Sequence, residues 1–232
     1  MKRYVGQVFN DVALLEDDEF AHLKVMRAKV GDEAVIINGD GNEYFCQLKK
    51  IEKNCATFDV KTVKKCDKTP KKTISLYMAA TKREKLELIV QKAVELGVNA
   101  VYLFESKFST MKLSGERLDR YNKIILSATK QCERAEFMKI DIMSFDEMLE
   151  KFSAHQISLF ANEREGEEYN FNNLKKASDI GVLVGCEGGF SADEKSRILK
   201  LNPENISLGE RILRAETAAI VLCGIVSLAS DN

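Results

Sequence analysis

Short apolar segments alternate with helical segments from Thr73 onward, and this order restricts the fold more than any other feature of the sequence. Helical periodicity marks residues 83–96 and 118–128. Apolar segments of strand length cover residues 73–80, 100–104, 140–143, 157–160, 180–184 and 206–208. Strands that alternate with helices are typical of a mostly parallel sheet that is covered on both faces. We therefore predict an α/β fold for this part of the chain.

Further helices are predicted from capping boxes, in which a serine precedes a glutamate by three residues. Ser144 with Glu147 and Ser191 with Glu194 have this spacing. The apolar run at residues 218–229 is too short to span a bilayer, so it predicts a buried helix. We expect no membrane partner.

The first seventy residues have a different, β-rich pattern. Strands are predicted at residues 3–8, 34–37, 43–48 and 56–63, with a short helix at 20–27. The segment Asn38-Gly-Asp-Gly-Asn42 predicts a turn between two of the strands. A polar segment at residues 64–72 contains one of the two prolines and predicts a linker. We therefore expect one domain at residues 1–70 and a second at residues 71–232.

The charges nearly cancel, with 35 basic and 36 acidic residues, but their distribution is uneven. Residues 49–72 contain nine lysines and three acids, which favours a surface for nucleic acid. A solvated strand pair followed by a linker explains this excess equally well. The six cysteines form no C-x-x-C pair and the chain has two histidines, so we expect no metal site. Scattered cysteines and the absence of a signal-like N-terminal run predict a cytoplasmic protein.

Glycines follow two of the C-terminal strands, where ligands of parallel sheets bind. Gly185, Gly188 and Gly189 follow one strand and Gly209 follows the next. Glycine lets a ligand approach the backbone closely. Glu187 would repel a polyanion, and no Gly-Lys-Ser/Thr follows, so a phosphate loop is disfavoured. A ligand with a positive centre, such as adenosine joined to a sulfonium, fits better, although an ordinary Gly-Gly turn is the alternative.

The second of these loops also carries side chains suited to chemistry. Ile212 and Leu213 can offer apolar walls and backbone groups to an adenine ring. Arg211 and Arg214 offer planar donors for a phosphate or a base edge. Glu216 can orient an arginine or accept a proton. The alternative is that Arg214 and Glu216 only cap and pair at the first turn of a buried helix.

Two segments together resemble a family signature: Gly185-Cys-Glu-Gly-Gly-Phe-Ser-Ala-Asp-Glu194 and Leu208-Gly-Glu-Arg-Ile-Leu-Arg-Ala-Glu-Thr-Ala218. Further matching segments are His22-Leu-Lys-Val-Met-Arg27, Gln91-Lys-Ala-Val-Glu-Leu-Gly97, and Gln131 with Arg134. The chain thereby resembles the ribosomal RNA small-subunit methyltransferase E family of the SPOUT superfamily, over nearly its whole length. The departures are Cys186 in place of a proline, Tyr121 in place of a tryptophan, Lys130 in place of a glutamate, and Met138 in place of a proline.

This resemblance implies a small N-terminal PUA-like β-barrel that binds RNA and a SPOUT methyltransferase domain with a C-terminal trefoil knot. It implies methylation of N3 of one uridine in small-subunit (16S) ribosomal RNA, with S-adenosyl-L-methionine as the methyl donor. The partner is then ribosomal RNA or the assembled small subunit, and the protein is expected to act as a homodimer in ribosome biogenesis. The alternatives are a SPOUT enzyme for another RNA, such as transfer RNA, a non-catalytic RNA-binding relative, and, more remotely, a nucleotide-dependent transferase.

The resemblance also implies roles for individual residues. The predicted catalytic residues are Arg214, which stabilises charge on the uracil anion, Glu216, which orients Arg214 or takes the proton, and Arg211. The predicted cofactor-binding residues are Leu159, Phe160, Gly185, Glu187, Gly188, Gly189, Leu208, Gly209, Ile212 and Leu213. The predicted RNA-binding residues are Arg3, His22, Arg27, Lys64, Lys65 and Lys68. For His22, a packed surface histidine is the alternative.

Overall fold

The structure is a computed structural model and describes residues 1–68, 71–163 and 165–231. The chain divides into two compact units: a first unit of residues 1–69 and 126–137, and a second unit of residues 70–125 and 138–232. Thr69 and Pro70, where the sequence places the domain boundary, lie outside the described residues. The assignment of residues 126–137 to the first unit was not predicted from the sequence.

The first unit contains a six-stranded sheet with the strand order β1-β4-β5-β6-β3-β2. Its elements are β1 (Lys2–Val5), β2 (Gln7–Phe9), β3 (Val12–Leu15), α1 (Asp17–Val25), β4 (Glu33–Ile37), β5 (Asn42–Ile51) and β6 (Ala56–Lys65). The pair of β1 with β4 is parallel, and the other pairs are antiparallel. The predicted turn at residues 38–42 joins β4 to β5, with positive φ at Gly39 and Gly41.

The predicted single strand at residues 3–8 is wrong, because the chain forms two strands that separate at Gly6. A Cβ on Gly6 would lie 2.6 Å from the Leu15 side chain and 2.7 Å from the Leu14 carbonyl oxygen. The absence of a side chain therefore lets the chain pass close to β3 at this point. Strand β3 was not predicted, since it depends on pairing with β2 and β6 and shows no local repeat of its own.

Helix α1 was predicted at residues 20–27 but begins earlier, at Asp17, and ends at Val25. Three acidic residues in its first turn favour this start, because they lie at the positive end of the helix dipole. The helix buries Phe20 and Leu23 in the core of the first unit. Arg27 follows the helix with a φ of 50°, in the left-handed region that ends helices.

The segment at residues 126–137 covers a second apolar cluster of the first unit, in which Val35, Ile37 and Cys66 pack with Ala135. The Gly41 N–H donates to the Ala135 carbonyl oxygen at 3.3 Å. A side chain on Gly39 would lie 2.5 Å from the Phe137 ring, so glycine is required for this contact.

The second unit contains a six-stranded sheet with the order β12-β10-β11-β7-β8-β9, and every neighbouring pair is parallel. Its elements are β7 (Thr73–Ala79), α2 (Arg83–Glu95), β8 (Ala100–Phe104), α3 (Leu118–Gln131), β9 (Lys139–Met143), α4 (Phe145–Ser153), β10 (Ile157–Ala161), β11 (Asp179–Val184), α5 (Ala192–Leu199), β12 (Glu204–Ile206) and α6 (Ala215–Asp231). The last residues of α3 belong to the first unit. The predicted α/β class is confirmed.

Both predicted capping boxes are present. Ser144 and Glu147 begin α4, and Ser191 and Glu194 begin α5, each with reciprocal hydrogen bonds. The last strand was predicted at residues 206–208 but lies at Glu204–Ile206. It ends there because the Ser207 N–H donates to the Glu167 carbonyl oxygen and no longer pairs with β10.

Helices cover both faces of the second sheet. Tyr77 and Leu183 pack with residues of α4 and α5 on one face. Leu76 and Val182 point to the other face, because side chains alternate along a strand, and they are fully buried as well. Helix α6 packs against these same two strands, β7 and β11. Among the described residues, no helix combines the length and apolarity needed to cross a membrane.

Candidate active site

A cavity of about 590 Å³ opens at the carboxyl edge of the second unit's sheet. The loops after β10, β11 and β12 form it together with the start of α6. These three strands are neighbours in the sheet, so their carboxyl ends meet at one edge. The predicted residues that line the cavity are Phe160, Gly185, Glu187, Gly188, Gly189, Leu208, Gly209, Arg211, Ile212, Leu213 and Arg214.

Leu159 and Glu216 differ from the other predicted residues. Leu159 is fully buried in β10 and is not among the described residues that line the cavity. Its neighbour Phe160 does line it, and adjacent residues of a strand point to opposite faces, so Leu159 contributes to the core instead. Glu216 also lies outside the lining and is connected to it through another residue, described below.

Sequence reasoning missed a polar group on the β10 side of the cavity. Asn162, Glu165 and Lys195 line this side, and Lys195 Nζ lies 2.8 Å from Glu165 Oε2. Asn162 Nδ2 donates to Asn205 Oδ1 at 3.0 Å, which holds this loop against β12. For Asn162 and Glu165, the position shortly after the apolar strand β10 was the available signal.

The two loops depend on glycine for different reasons. Gly189 has a φ of 65° and Gly209 a φ of 102°, a region that other residues rarely adopt. Gly188 is required for space, because a Cβ there would lie 2.7 Å from the Phe108 Cβ. The loop after β11 is also closed internally by a bond of 2.9 Å from the Gly189 N–H to the Cys186 carbonyl oxygen.

Lys85 connects the acidic residues of the two loops. Its Nζ lies 3.0 Å from Glu187 Oε1 and 3.1 Å from Glu216 Oε2. These two contacts raise the pKa of Lys85. Burial alone would raise the pKa of Glu187, but hydrogen bonds from Thr81 and Lys85 and the charge of Lys85 lower the net pKa. Glu187 is therefore ionised at neutral pH and presents a negative charge beside the cavity.

The role of Lys85 was not predicted. It lies in the first turn of α2, shortly after the carboxyl end of β7, which is the strand beside β11. That position in a parallel sheet was the signal that could have identified it.

Arg211 and Arg214 are exposed at the cavity. Within the part of the chain that the structure describes, no ion pair or hydrogen bond holds either guanidinium, and none joins Arg214 to Glu216. The expected pairing of Arg214 with Glu216 is therefore not present. The two residues are two positions apart at the start of α6, and side chains at that spacing do not face each other on a helix.

The residues predicted to contact RNA lie in the first unit, and three of them have partners there. Arg3 Nη2 forms an ion pair of 2.5 Å with Glu43, and the Arg3 side chain is only 12% exposed. Lys68 pairs with Glu133 at the surface. Lys64 Nζ lies 5.0 Å from the centre of the Phe45 ring.

The other three predicted RNA-binding residues, His22, Arg27 and Lys65, are exposed. The His22 ring meets the Tyr4 ring edge-on, with the ring centres 5.5 Å apart. Among the described residues, no group of three or more histidine, cysteine or acidic side chains is arranged to hold a metal ion.

In comparisons with known proteins, two parts of the chain match two family models. Residues 67–227 match a family described as an RNA methyltransferase domain, and residues 15–61 match an RNA methyltransferase PUA domain. A protein from Rickettsia conorii named ribosomal RNA small subunit methyltransferase E is 33% identical over 227 residues, which cover 95% of this chain and 91% of that protein. A protein of the same name from Mesomycoplasma hyopneumoniae is 30% identical and is covered over 95% of its length.

A solved structure shares the fold. It is a ribosomal RNA small subunit methyltransferase E from Neisseria gonorrhoeae bound to S-adenosyl methionine, and it superposes with a TM-score of 0.88. The match covers 98% of this chain and 97% of that chain at 23% identity, so this likeness shows the fold alone. Because the family model spans more than half of the sequence and the relatives align over nearly all of it, the chain belongs to the RNA methyltransferase family of ribosomal RNA small subunit methyltransferase E.

Proposed function

We propose that this protein transfers a methyl group from S-adenosyl-L-methionine to N3 of a uridine in small-subunit ribosomal RNA. The observation that carries the proposal is the cavity at the strand ends, where glycine loops and the ionised Glu187 meet two exposed arginines. Family membership supports the reaction class and the type of RNA. The target atom and the roles below are our own inferences.

The cavity has the properties that this methyl donor requires. Its glycine loops expose backbone N–H and C=O groups, which suit the edges of an adenine ring. Ile212 and Leu213 supply apolar wall on the side of α6. The carboxylate of Glu187 lies beside the cavity and favours a ligand with a positive charge over a polyphosphate. When bound, S-adenosyl-L-methionine supplies a methyl group that is already activated by its sulfonium.

The chain's own residues must then position a uracil ring and stabilise the charge that forms on it. N3 of uracil carries a proton, and when that proton passes to water, N3 becomes a good nucleophile and negative charge spreads over the ring. Arg214 is exposed at the cavity, and no described residue pairs with its guanidinium, so it is available to stabilise this charge. Arg211 stabilises the same negative charge or binds a neighbouring phosphate.

Glu216 has a different role in this proposal than the sequence suggested. It is held by Lys85, with a side chain that is 12% exposed, and it does not contact Arg214. We assign Glu216 to the connection between the two loops, through Lys85 to Glu187. The target nucleotide must be unpaired or extruded, because N3 takes part in base pairing.

We further propose that the second unit is a SPOUT-type domain with a C-terminal trefoil knot, and that the first unit is a PUA-like barrel. The return of α6 to β7 and β11 after the outermost strand β12 supports the knot. We propose a homodimer, supported by the exposed apolar residues Leu88 and Val221 on α2 and α6. The six unpaired cysteines support a reducing cytoplasm. Residues 1–70 and 71–232 remain our proposed domain bounds.

The test is transfer of a tritiated methyl group to small ribosomal subunits that lack the modification, followed by analysis of the nucleosides. We expect label in N3-methyluridine, and calorimetry should show binding of S-adenosyl-L-methionine. Label in another nucleoside, or label in transfer RNA and none in the subunits, would assign the enzyme to a different target. Binding to RNA without binding to the methyl donor would indicate a non-catalytic protein.

A further inference from the structure

We propose that Phe108 is a stacking surface for an unpaired base of the substrate RNA, next to the nucleotide that is methylated. This inference rests on the proposed function and deepens it. It assigns a binding role to the loop at residues 105–113, which follows β8.

Phe108 combines exposure with proximity to the cavity. Its side chain is 45% exposed, so the ring is accessible to a partner. The Phe108 Cβ packs against Gly188, so a Cβ added to Gly188 would lie only 2.7 Å from it. Gly188 also lines the cavity, so one residue connects the aromatic ring with the proposed methyl-donor site.

The loop around Phe108 is held in one conformation by its own hydrogen bonds. The Lys107 N–H donates to Glu194 Oε1 at 2.7 Å, which fixes the loop to the start of α5. The Ser106 N–H donates to Ser109 Oγ at 2.9 Å, and the Leu113 N–H donates to Glu105 Oε1 at 2.8 Å. An aromatic ring on a fixed loop binds a partner at a low entropic cost.

The surroundings of the ring match a nucleotide. Lys107 Nζ lies 6.0 Å from the centre of the Phe108 ring, and Lys107 is exposed. An aromatic face beside a cation can stack a base and neutralise its phosphate, which is how single-stranded RNA is commonly held. The neighbours of Phe108 in the chain, Lys107 and Ser109, are polar. This single ring among polar groups suits a planar base with polar edges better than an apolar protein surface.

The test uses three variants at one position in the full chain. Phe108→Ala removes the ring, Phe108→Leu keeps apolar volume without a ring, and Phe108→Tyr keeps the ring. The probes are a single-stranded oligouridylate of about ten nucleotides, unmodified small subunits as methyl acceptor, and S-adenosyl-L-methionine in calorimetry. Phe171→Ala is the matched control, because Phe171 is a partly exposed aromatic residue of the second unit that does not line the cavity.

We expect Phe108→Ala and Phe108→Leu to weaken oligouridylate binding by roughly 5- to 100-fold, the range for loss of one stacked base. Their kcat/KM for methyl transfer should fall similarly, while the Kd for S-adenosyl-L-methionine is unchanged. Phe108→Tyr and Phe171→Ala should resemble the wild type.

Unchanged RNA binding in Phe108→Ala would overturn the proposal. So would equal loss of methyl-donor binding, because the loop would then act on the cavity through Gly188. Full activity in Phe108→Leu, with dissociation of a dimer in Phe108→Ala, would assign the ring to contact with a second copy of the chain. Failure of the proposed function is distinguishable, because the wild type would then neither bind the methyl donor nor methylate RNA.

Discussion

Lys85 Nζ lies 3.1 Å from Glu216 Oε2 at the start of the C-terminal helix, and 3.0 Å from Glu187 Oε1 in the loop after β11. One cation thus holds together the two segments that form the cavity. Without it, two carboxylates on neighbouring segments would repel each other, and the loops would separate. The integrity of the site depends on a residue that lies about one hundred positions earlier in the chain.

Lys85→Met should therefore weaken binding of S-adenosyl-L-methionine by about tenfold, a modest effect because the pair is partly screened by solvent. Calorimetry measures the change. Lys92→Met is the matched control, since Lys92 lies on the same helix and pairs with Glu95 away from the cavity residues. Equal effects of the two substitutions would contradict a specific role for Lys85.

Arg214→Ala should lower kcat for methyl transfer by roughly 100- to 1000-fold, the usual loss when a group that stabilises developing charge is removed. The Kd for the methyl donor should change little, because Arg214 acts on the uracil in our proposal. Arg211→Ala serves as the comparison at a neighbouring exposed arginine and should raise KM for RNA more than it lowers kcat. Wild-type turnover in folded Arg214→Ala would show that the assignment is wrong.

Gly188→Ala should weaken binding of the methyl donor at least about tenfold. The added methyl group would meet the Phe108 Cβ at 2.7 Å, and rotation of a side chain cannot relieve a contact between two Cβ atoms. The backbone of the loop must move instead. Gly115→Ala is the control, because a Cβ there has no heavy atom within 4 Å. If calorimetry gave the same Kd for both variants, the cavity would tolerate movement of this loop.

Lys64 and Lys65 at the end of β6, and Lys68 just after it, should contribute unequally to RNA binding. Each phosphate contact lowers the slope of log K against log salt by about 0.7 for single-stranded RNA. Lys65→Gln should reduce this slope more than Lys68→Gln, because Lys68 is already paired with Glu133. Titrations at several salt concentrations provide the measurement. An unchanged slope when Lys64, Lys65 and Lys68 are all neutralised would remove this surface from the RNA footprint.

The stability of the second unit should depend on Glu87 at acidic pH. Hydrogen bonds from Arg120 and Arg83, opposed by burial, lower the pKa of Glu87 from 4.5 to about 2. A carboxyl group with a lowered pKa contributes stability above its unfolded value and loses it as the pH falls through the folded value. The free energy of unfolding should therefore fall less steeply in Glu87→Gln than in the wild type between about pH 4.5 and 2.

Arg120→Met should also make the fall in the free energy of unfolding less steep over this pH range, because it removes the bidentate donor to Glu87. Chemical unfolding at several pH values compares the three proteins. Parallel curves for the wild type and both variants would show that this ion pair does not contribute.

The sequence predicted the parts of the fold that have strong periodicity. The parallel strands and both capping boxes were placed to within one to three residues, because each leaves a local pattern. Strand β3 and the division at Gly6 were missed, since they depend on contacts with distant strands and not on a local repeat.

The active site was predictable only where loops carried unusual residues. Gly185 and Gly209 were predicted to bind the cofactor because they are glycines at strand ends, and both line the cavity. Lys85 and Asn162 were not predicted, because their only signal was a position shortly after a strand, which many surface residues share. The expected pairing of Arg214 with Glu216 is absent, because side chains two positions apart do not face each other on a helix.

The contact of residues 126–137 with Val35, Ile37 and Phe45 affects how this protein can be divided or recombined. A gene fragment that stops at codon 70 encodes the sheet of the first unit without the peptide that shields one of its apolar sides. Such a fragment would display that side to water and aggregate, although every strand of its sheet is present. The first seventy residues therefore cannot be transferred to another protein alone. A chimaera that joins them to a different second domain must also include the C-terminal end of α3.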